Sequence, residues 1–203
     1  MILAIDTSTA ACSAALFADS DALIGSRDEM IGRGHAERLM PMIEQLLAAR
    51  IPSRILVGCG PGSFTGLRVG IAAAHGMAIG WDIPLAGMSS LALLAVAAPG
   101  EGPVAAAMTG GHGELFVQAF DRRPLTTTSD LLNLPPQAAA AGIATPLVVG
   151  TGAALLVAAR GTGESIDLYP SARHALDLPA PLRALDPRPL YGRAPDARPQ
   201  RAA

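Results

Sequence analysis

Arg54-Ile55-Leu56-Val57-Gly58-Cys59-Gly60-Pro61-Gly62-Ser63-Phe64-Thr65-Gly66-Leu67-Arg68-Val69-Gly70 reads as strand, turn and helix in immediate succession. Arg54–Gly58 is an apolar run of strand length. Gly60-Pro61-Gly62 makes a tight turn, and Ser63 is placed to cap a helix running to about Gly80. That helix carries Gly66 and Gly70 four residues apart, followed by Ala72, Ala73, Ala74 and Gly76. Each internal glycine costs about 1 kcal/mol relative to alanine. Small residues offset that cost only where another element packs very close, so the spacing predicts a tight helix–helix contact.

Working outward, Met1–Ile5 is an apolar strand ending in Asp6-Thr7-Ser8-Thr9. Ser13–Phe17 is a second strand, Asp19-Ser20-Asp21 a hairpin turn, and Ala22–Arg27 a third strand. His35–Arg50 reads as a helix with Leu39, Met42, Ile43, Leu46 and Leu47 in one stripe. Pro41 must lie in its first turns or kink it. Ile83–Met88 is a strand, and Ser89 caps a helix over Leu91–Ala98. The order β-β-β-α-β-α-β-α is that of the ribonuclease H-like half of the actin-like ATPase fold, an α/β class. Pro99-Gly100-Glu101-Gly102-Pro103 then marks a boundary. Strands are expected at Val104–Met108, Glu114–Phe120 and Leu147–Gly150, and a short helix at Ala153–Arg160. The expected division is 1–98, a ribonuclease H-like domain carrying the pairing helices; 103–185, a smaller, reduced α/β half; and 186–203, a tail dense in Pro and Arg.

Composition narrows the chemistry. Half of the 203 residues are hydrophobic and 16% are charged, enough apolar material for a packed core. All 15 basic residues are Arg, which removes phosphate-loop, Schiff-base and kinase-type lysine mechanisms. A net charge of −2 does not mark a chain that grips RNA by itself. Cys12 and Cys59 fit buried thiols of a reduced compartment. The start lacks a basic leader region, and the apolar stretches Val69–Trp81 and Leu147–Ala159 are too short to span a bilayer, so a cytoplasmic protein is expected.

Three segments together resemble the TsaB family, also called YeaZ, of the glycoprotease-like, TsaD-related superfamily. They are Ile2-Leu3-Ala4-Ile5-Asp6-Thr7-Ser8-Thr9, Gly32-Arg33-Gly34-His35-Ala36-Glu37-Arg38-Leu39-Met40-Pro41, and Gly60 through Gly70. Pro84–Leu91 and Tyr191-Gly192-Arg193-Ala194-Pro195-Asp196 are similar to that family too. The resemblance implies a subunit without an active site. It would pair through helices with TsaD and, with TsaE, serve threonylcarbamoyl transfer to the tRNA adenosine beside the anticodon. It implies contact with tRNA only through the complex, and a homodimer when the partner is missing. Three features depart from the family pattern: a short connection Ala48–Arg54, Met108-Thr109-Gly110-Gly111-His112 in place of an Asp-Ala-Arg element, and Thr151 in the late glycine turn.

Candidate sites are each read against a structural role. Asp6, Thr7 and Ser8 occupy the turn that faces nucleotide phosphates in this fold class, where a carboxylate holds a metal-bound water. The plainer reading, a strand-ending turn satisfying its own amides, is favoured. Gly58–Gly66 matches neither the dinucleotide nor the phosphate-loop pattern. His35, His75, His112 and His174 include no pair three or four apart, so no metal site is expected. Partner-interface candidates are His35, Leu39, Met42, Ile43, Leu46, Phe64, Gly66, Leu67, Gly70 and Ala74, for which the alternative is core. No catalytic residue and no cofactor of its own are expected, with ATP or ADP left open at the subunit junction. Two other functions stay in play: a nucleotide hydrolase or sugar-kinase-like enzyme using Asp6, and a glycoprotease-like peptidase.

Overall fold

The structure is a computed structural model, and it describes residues 1–190. Its first half builds a five-stranded sheet from β1 (Ile2–Asp6), β2 (Ala11–Phe17), β3 (Leu23–Met30), β4 (Arg54–Gly58) and β5 (Leu85–Met88), in the order β3-β2-β1-β4-β5. β1, β2 and β3 form the antiparallel meander, while β4 and β5 run parallel to β1. Helices α1 (His35–Leu47) and α2 (Phe64–Trp81) cover one face, and α3 (Ser90–Ala97) lies on the other. Alternation sorts the side chains. Leu3, Ile5, Cys12, Leu16, Ile55 and Val57 pack under α1 and α2, whereas Ala4, Phe17 and Leu56 face α3.

The second half repeats this plan in shortened form. β6 (Val104–Thr109) pairs antiparallel with β7 (Leu115–Arg122) and parallel with β10 (Leu147–Val149). β8 (Leu125–Thr127) and β9 (Leu132–Leu134) both pair with β7, and β11 (Glu164–Ile166) follows β10. The order β8-β7-β6-β10-β11 therefore mirrors β3-β2-β1-β4-β5. Helices α4 (Pro136–Gly142) and α5 (Ala153–Arg160) stand where α1 and α2 stand in the first half, and α5 has 8 residues against 18 in α2. This is the actin-like ATPase architecture: two related halves, the second one reduced. α3 is apolar on every side because both sheets bury it: Leu91, Leu93 and Leu94 share one core with Val104, Met108 and Phe120.

Local chemistry explains the helix limits. Ser63 Oγ accepts from the Gly66 amide at 3.2 Å, and Ser89 Oγ accepts from the Ala92 amide at 3.2 Å, as the sequence predicts. α1 runs unbroken through Pro41, which sits on its exposed side in the second turn. It ends at Leu47, three residues before the expected limit, where Ala48 takes a left-handed conformation.

The last described segment does not stay with the second half. A 3-10 turn at Ala172–His174 returns to the first sheet, where Ser171 Oγ donates to Asp28 Oδ1 at 2.8 Å. The Ala172 amide donates to Ser13 Oγ at 2.7 Å. α6 (Ala180–Arg183) and Leu185 then cover the open edge of β5, with Gly87 and Leu185 exchanging both backbone bonds. The expected 103–185 unit thus gives its final residues to the first half, a return that no local pattern encodes. Tyr191–Asp196 and the tail arginines Arg193, Arg198 and Arg201 lie outside the described residues.

The crossing between halves at 98–103 is held by Arg122, beside an exposed ion pair of Arg123 with Glu101. Arg122 Nε donates to the Gly102 carbonyl at 2.6 Å, Nη1 to Ala98 at 2.6 Å and Nη2 to Pro99 at 2.9 Å. Arg122→Ala is expected to lower stability by about 2 kcal/mol, a charge-assisted set reduced by partial exposure. Urea unfolding checks this; an unchanged midpoint would show that the linker holds without it.

Candidate partner face and the buried strand-end turn

The turn after β1 is closed on itself. Asp6 Oδ1 accepts from the Ser8 amide at 2.9 Å and from Ser8 Oγ at 2.6 Å. Asp6 Oδ2 accepts from Ser90 Oγ at 2.7 Å, and Ser90 Oγ accepts from the Gly60 amide at 3.2 Å. Thr7 Oγ1 donates to the Gly66 carbonyl at 2.8 Å. Asp6, Thr7 and Ser8 are all buried, and each hydroxyl or carboxylate is spent on protein groups. The three nucleotide candidates are brought together, but as a knot joining β1, the Gly60 turn and the start of α3.

Burial pushes the Asp6 carboxyl above its ordinary value, against the pull of the Ser8 and Ser90 hydrogen bonds. A raised folded pKa means that Asp6 favours folding fully below its unfolded value of 3.8, and that this contribution is lost as pH rises through the folded value. Asp6→Asn has no such dependence. Relative to Asp6→Asn, the parent protein should therefore lose stability as pH rises from 3 towards neutrality, measured by denaturant unfolding at each pH. A constant difference would contradict the burial argument.

The same turn explains two of the four glycines of α2. A Cβ at Gly66 would stand 2.2 Å from the Thr7 carbonyl oxygen, and one at Gly70 would stand 2.3 Å from Thr7 Oγ1. These small residues admit the β1 turn, not another helix, which corrects the helix–helix expectation at these two positions.

Most of the interface candidates lie inside the protein. Leu39, Met42, Ile43, Leu67 and Ala74 belong to the core under α1 and α2, and Gly66 and Gly70 are buried against Thr7. His35 is buried too, its Nε2 2.9 Å from the Thr9 carbonyl in the tautomer that donates, which ties α1 to the β1–β2 turn. Leu46 is half-buried beside that core. Of the ten, only Phe64 stands in the open, 57% exposed beneath the Arg68 guanidinium.

The exposed face of α2 is a different set. Thr65, Arg68, Ala72, Gly76 and Ile79 recur at helical spacing, with Ile79 80% exposed. Added Cβ atoms at Gly76 and Gly80 would meet nothing within 4 Å. This face is small-residued and carries an isolated branched apolar side chain, the relief that lets a second helix approach closely. The sequence reading names Ala72 and Gly76 among the small residues of α2, but places neither of them, nor Ile79, among the ten interface candidates. The available signal is that the faces of α2 differ little in polarity, although only one side can face the sheet.

Neither cysteine is placed for thiolate chemistry. Burial pushes the Cys12 thiol up to about 11 and the Cys59 thiol up to about 12, so neither supplies thiolate near neutrality. Among the described residues, no three His, Cys, Asp or Glu side chains converge as metal ligands, and no helix is long and apolar enough to cross a membrane.

The family described as "TsaD: tRNA N6-adenosine threonylcarbamoyltransferase" matches residues 25–132, more than half of the chain. The Escherichia coli "tRNA threonylcarbamoyladenosine biosynthesis protein TsaB" is 38% identical over 129 residues, covering 60% of this chain and 55% of that protein. The Haemophilus influenzae protein of the same description is 41% identical over 102 residues, covering 48% of this chain and 42% of its own. The chain thus spans about half the length of the curated relatives it matches. The solved structure described as "YeaZ from Pseudomonas aeruginosa" superposes with a TM-score of 0.77 at 31% identity, over 94% of this chain and 98% of that one. On the family match across residues 25–132 and this near end-to-end likeness, the chain belongs to the TsaB (YeaZ) family.

Proposed function

We propose that this chain is a non-catalytic subunit of the machinery that places threonylcarbamoyl on tRNA adenosine, and that it works by docking TsaD through the outer face of α2, with TsaE completing the complex. The observation that carries the reading is the pairing of two features on one half of the fold. The turn that would serve a nucleotide is buried and fully hydrogen-bonded, while the neighbouring helix presents Phe64, Ala72, Gly76 and Ile79 outward. The names of the relatives supply the pathway, and the family description supplies the sister protein. A TsaD-like chain carrying the same secondary-structure order would present an equivalent helix, so the two faces pair about a pseudo-twofold axis. The same geometry permits a weaker homodimer when the sister protein is missing.

Reconstitution tests this directly. Added to purified TsaD and TsaE with threonylcarbamoyl adenylate and tRNA, the chain should restore modification while turning over nothing by itself. Equal modification without it would overturn the reading. The enzyme alternative predicts magnesium-ATP binding that is lost in Asp6→Asn, and calorimetry separates the two.

A further inference from the structure

At the opposite end of the first sheet from Asp6, about 13 Å away along β1, a cavity of about 200 Å³ opens between the sheet and the returning C-terminal segment. Its apolar wall is Leu56, which is buried, with Ile2 and Leu176, which are half-buried. Three charged side chains line it: Arg54 at the start of β4, Arg183 at the end of α6, and Asp21 in the β2–β3 turn.

These three charges are not spent on the protein. Arg38, Arg50, Arg122 and Arg160 each hold a carboxylate or backbone carbonyls. Among the described residues, Arg54, Arg183 and Asp21 have no side-chain hydrogen bond or ion pair, not even with each other. Two guanidiniums sharing a cavity repel one another, and an oxyanion received between them would relieve that repulsion through forked hydrogen bonds. The carboxylate of Asp21 on the same rim would repel a simple anion, but would accept from a cationic donor on the same ligand. The cavity is smaller than the usual range for drug-sized ligands, of order 300–1,000 Å³, which excludes a nucleotide and suits a short molecule.

From this arrangement we infer that the cavity bounded by Arg54, Arg183 and Asp21 binds a small α-amino acid with an apolar side chain. Its carboxylate lies between the two guanidiniums, its ammonium meets Asp21, and its side chain rests on Leu56 and Leu176. The ligand joins the first sheet to α6 and so fastens the returning segment. This assignment does not depend on pairing with TsaD, so either can fail without the other.

The test is calorimetric titration of the full chain with L-valine, 2-hydroxyisovalerate and inorganic phosphate, each up to about 10 mM, the millimolar range expected of so few contacts. L-valine should give a saturable response, at least tenfold weaker in Arg54→Gln and in Arg183→Gln. Asp21→Asn should weaken L-valine by a similar factor and leave the hydroxy acid unchanged. Thermal unfolding confirms that the variants are folded. No saturable response to L-valine, a response unchanged in the Arg54→Gln/Arg183→Gln double variant, or binding of phosphate alone would overturn the assignment.

Discussion

Leu39→Arg is expected to strip the protein of most of its stability and to melt far below the parent. Leu39 is 1% exposed and sits among Met42, Ile43, Leu16 and Leu67 between α1 and the first sheet. An arginine there loses the transfer energy of the leucine and buries a charge without a partner, together about 4 kcal/mol or more. That is a large part of the roughly 5–15 kcal/mol that holds a domain of this kind. Gly70→Leu fails for another reason. Its first added carbon already collides with Thr7 Oγ1, so the strand-end turn must move and the Thr7–Gly66 hydrogen bond breaks. Circular dichroism during a thermal ramp checks both. A cooperative transition near the parent temperature in either variant would show that these positions are looser than the packing implies. Were Leu39 and Gly70 interface residues, as the sequence allows, both substitutions would spare the monomer; their burial puts them in the core instead.

That difference shows where the sequence is legible and where it is not. Strand and helix order in the first half follows from apolar runs, glycine turns and the caps Ser63 and Ser89, all of which are local signals. The halves are related by topology, and the second half is harder to read because its elements are short. β8, β9, β10 and β11 have three residues each, too few for a period to register, and α4 is an alanine run. The self-capping of the Asp6 turn was legible as the plainer of two readings, since Asp and Ser after a strand satisfy their own amides, whereas its burial under α3 and the Gly60 turn was not. The outer face of α2 was not legible. The two sides of α2 differ little in polarity, so the sequence does not separate the buried side, with Gly66 and Gly70, from the exposed side, with Ala72, Gly76 and Ile79. The return of residues 171–190 to the first sheet depends on contacts such as Ala172 with Ser13, more than 150 positions apart.

The second large effect is on pairing. Ile79 projects from α2 with most of its surface in solvent, and the flanking Gly76 and Gly80 leave room for another backbone. A charge placed at the centre of such a contact is desolvated without a partner, and anchors at the centre of an interface carry most of its energy. Ile79→Glu and Gly76→Arg are each expected to weaken binding to TsaD by about 100-fold or more. Neither should damage the monomer. Ile79 gives up almost no buried area, and replacing a helical glycine removes a cost of up to about 1 kcal/mol. Gly76→Arg should therefore match or exceed the parent protein in thermal stability while failing to pair. This separates a docking defect from a folding defect within one variant, which Leu39→Arg cannot do.

The most direct measurement is a calorimetric titration of TsaD with the parent chain and with Gly76→Arg, each first shown to unfold cooperatively. Saturable binding by the parent, and its loss in the equally stable variant, is the result that follows from a docking face on the outside of α2. Binding of the two proteins with the same affinity would place the contact elsewhere and contradict it.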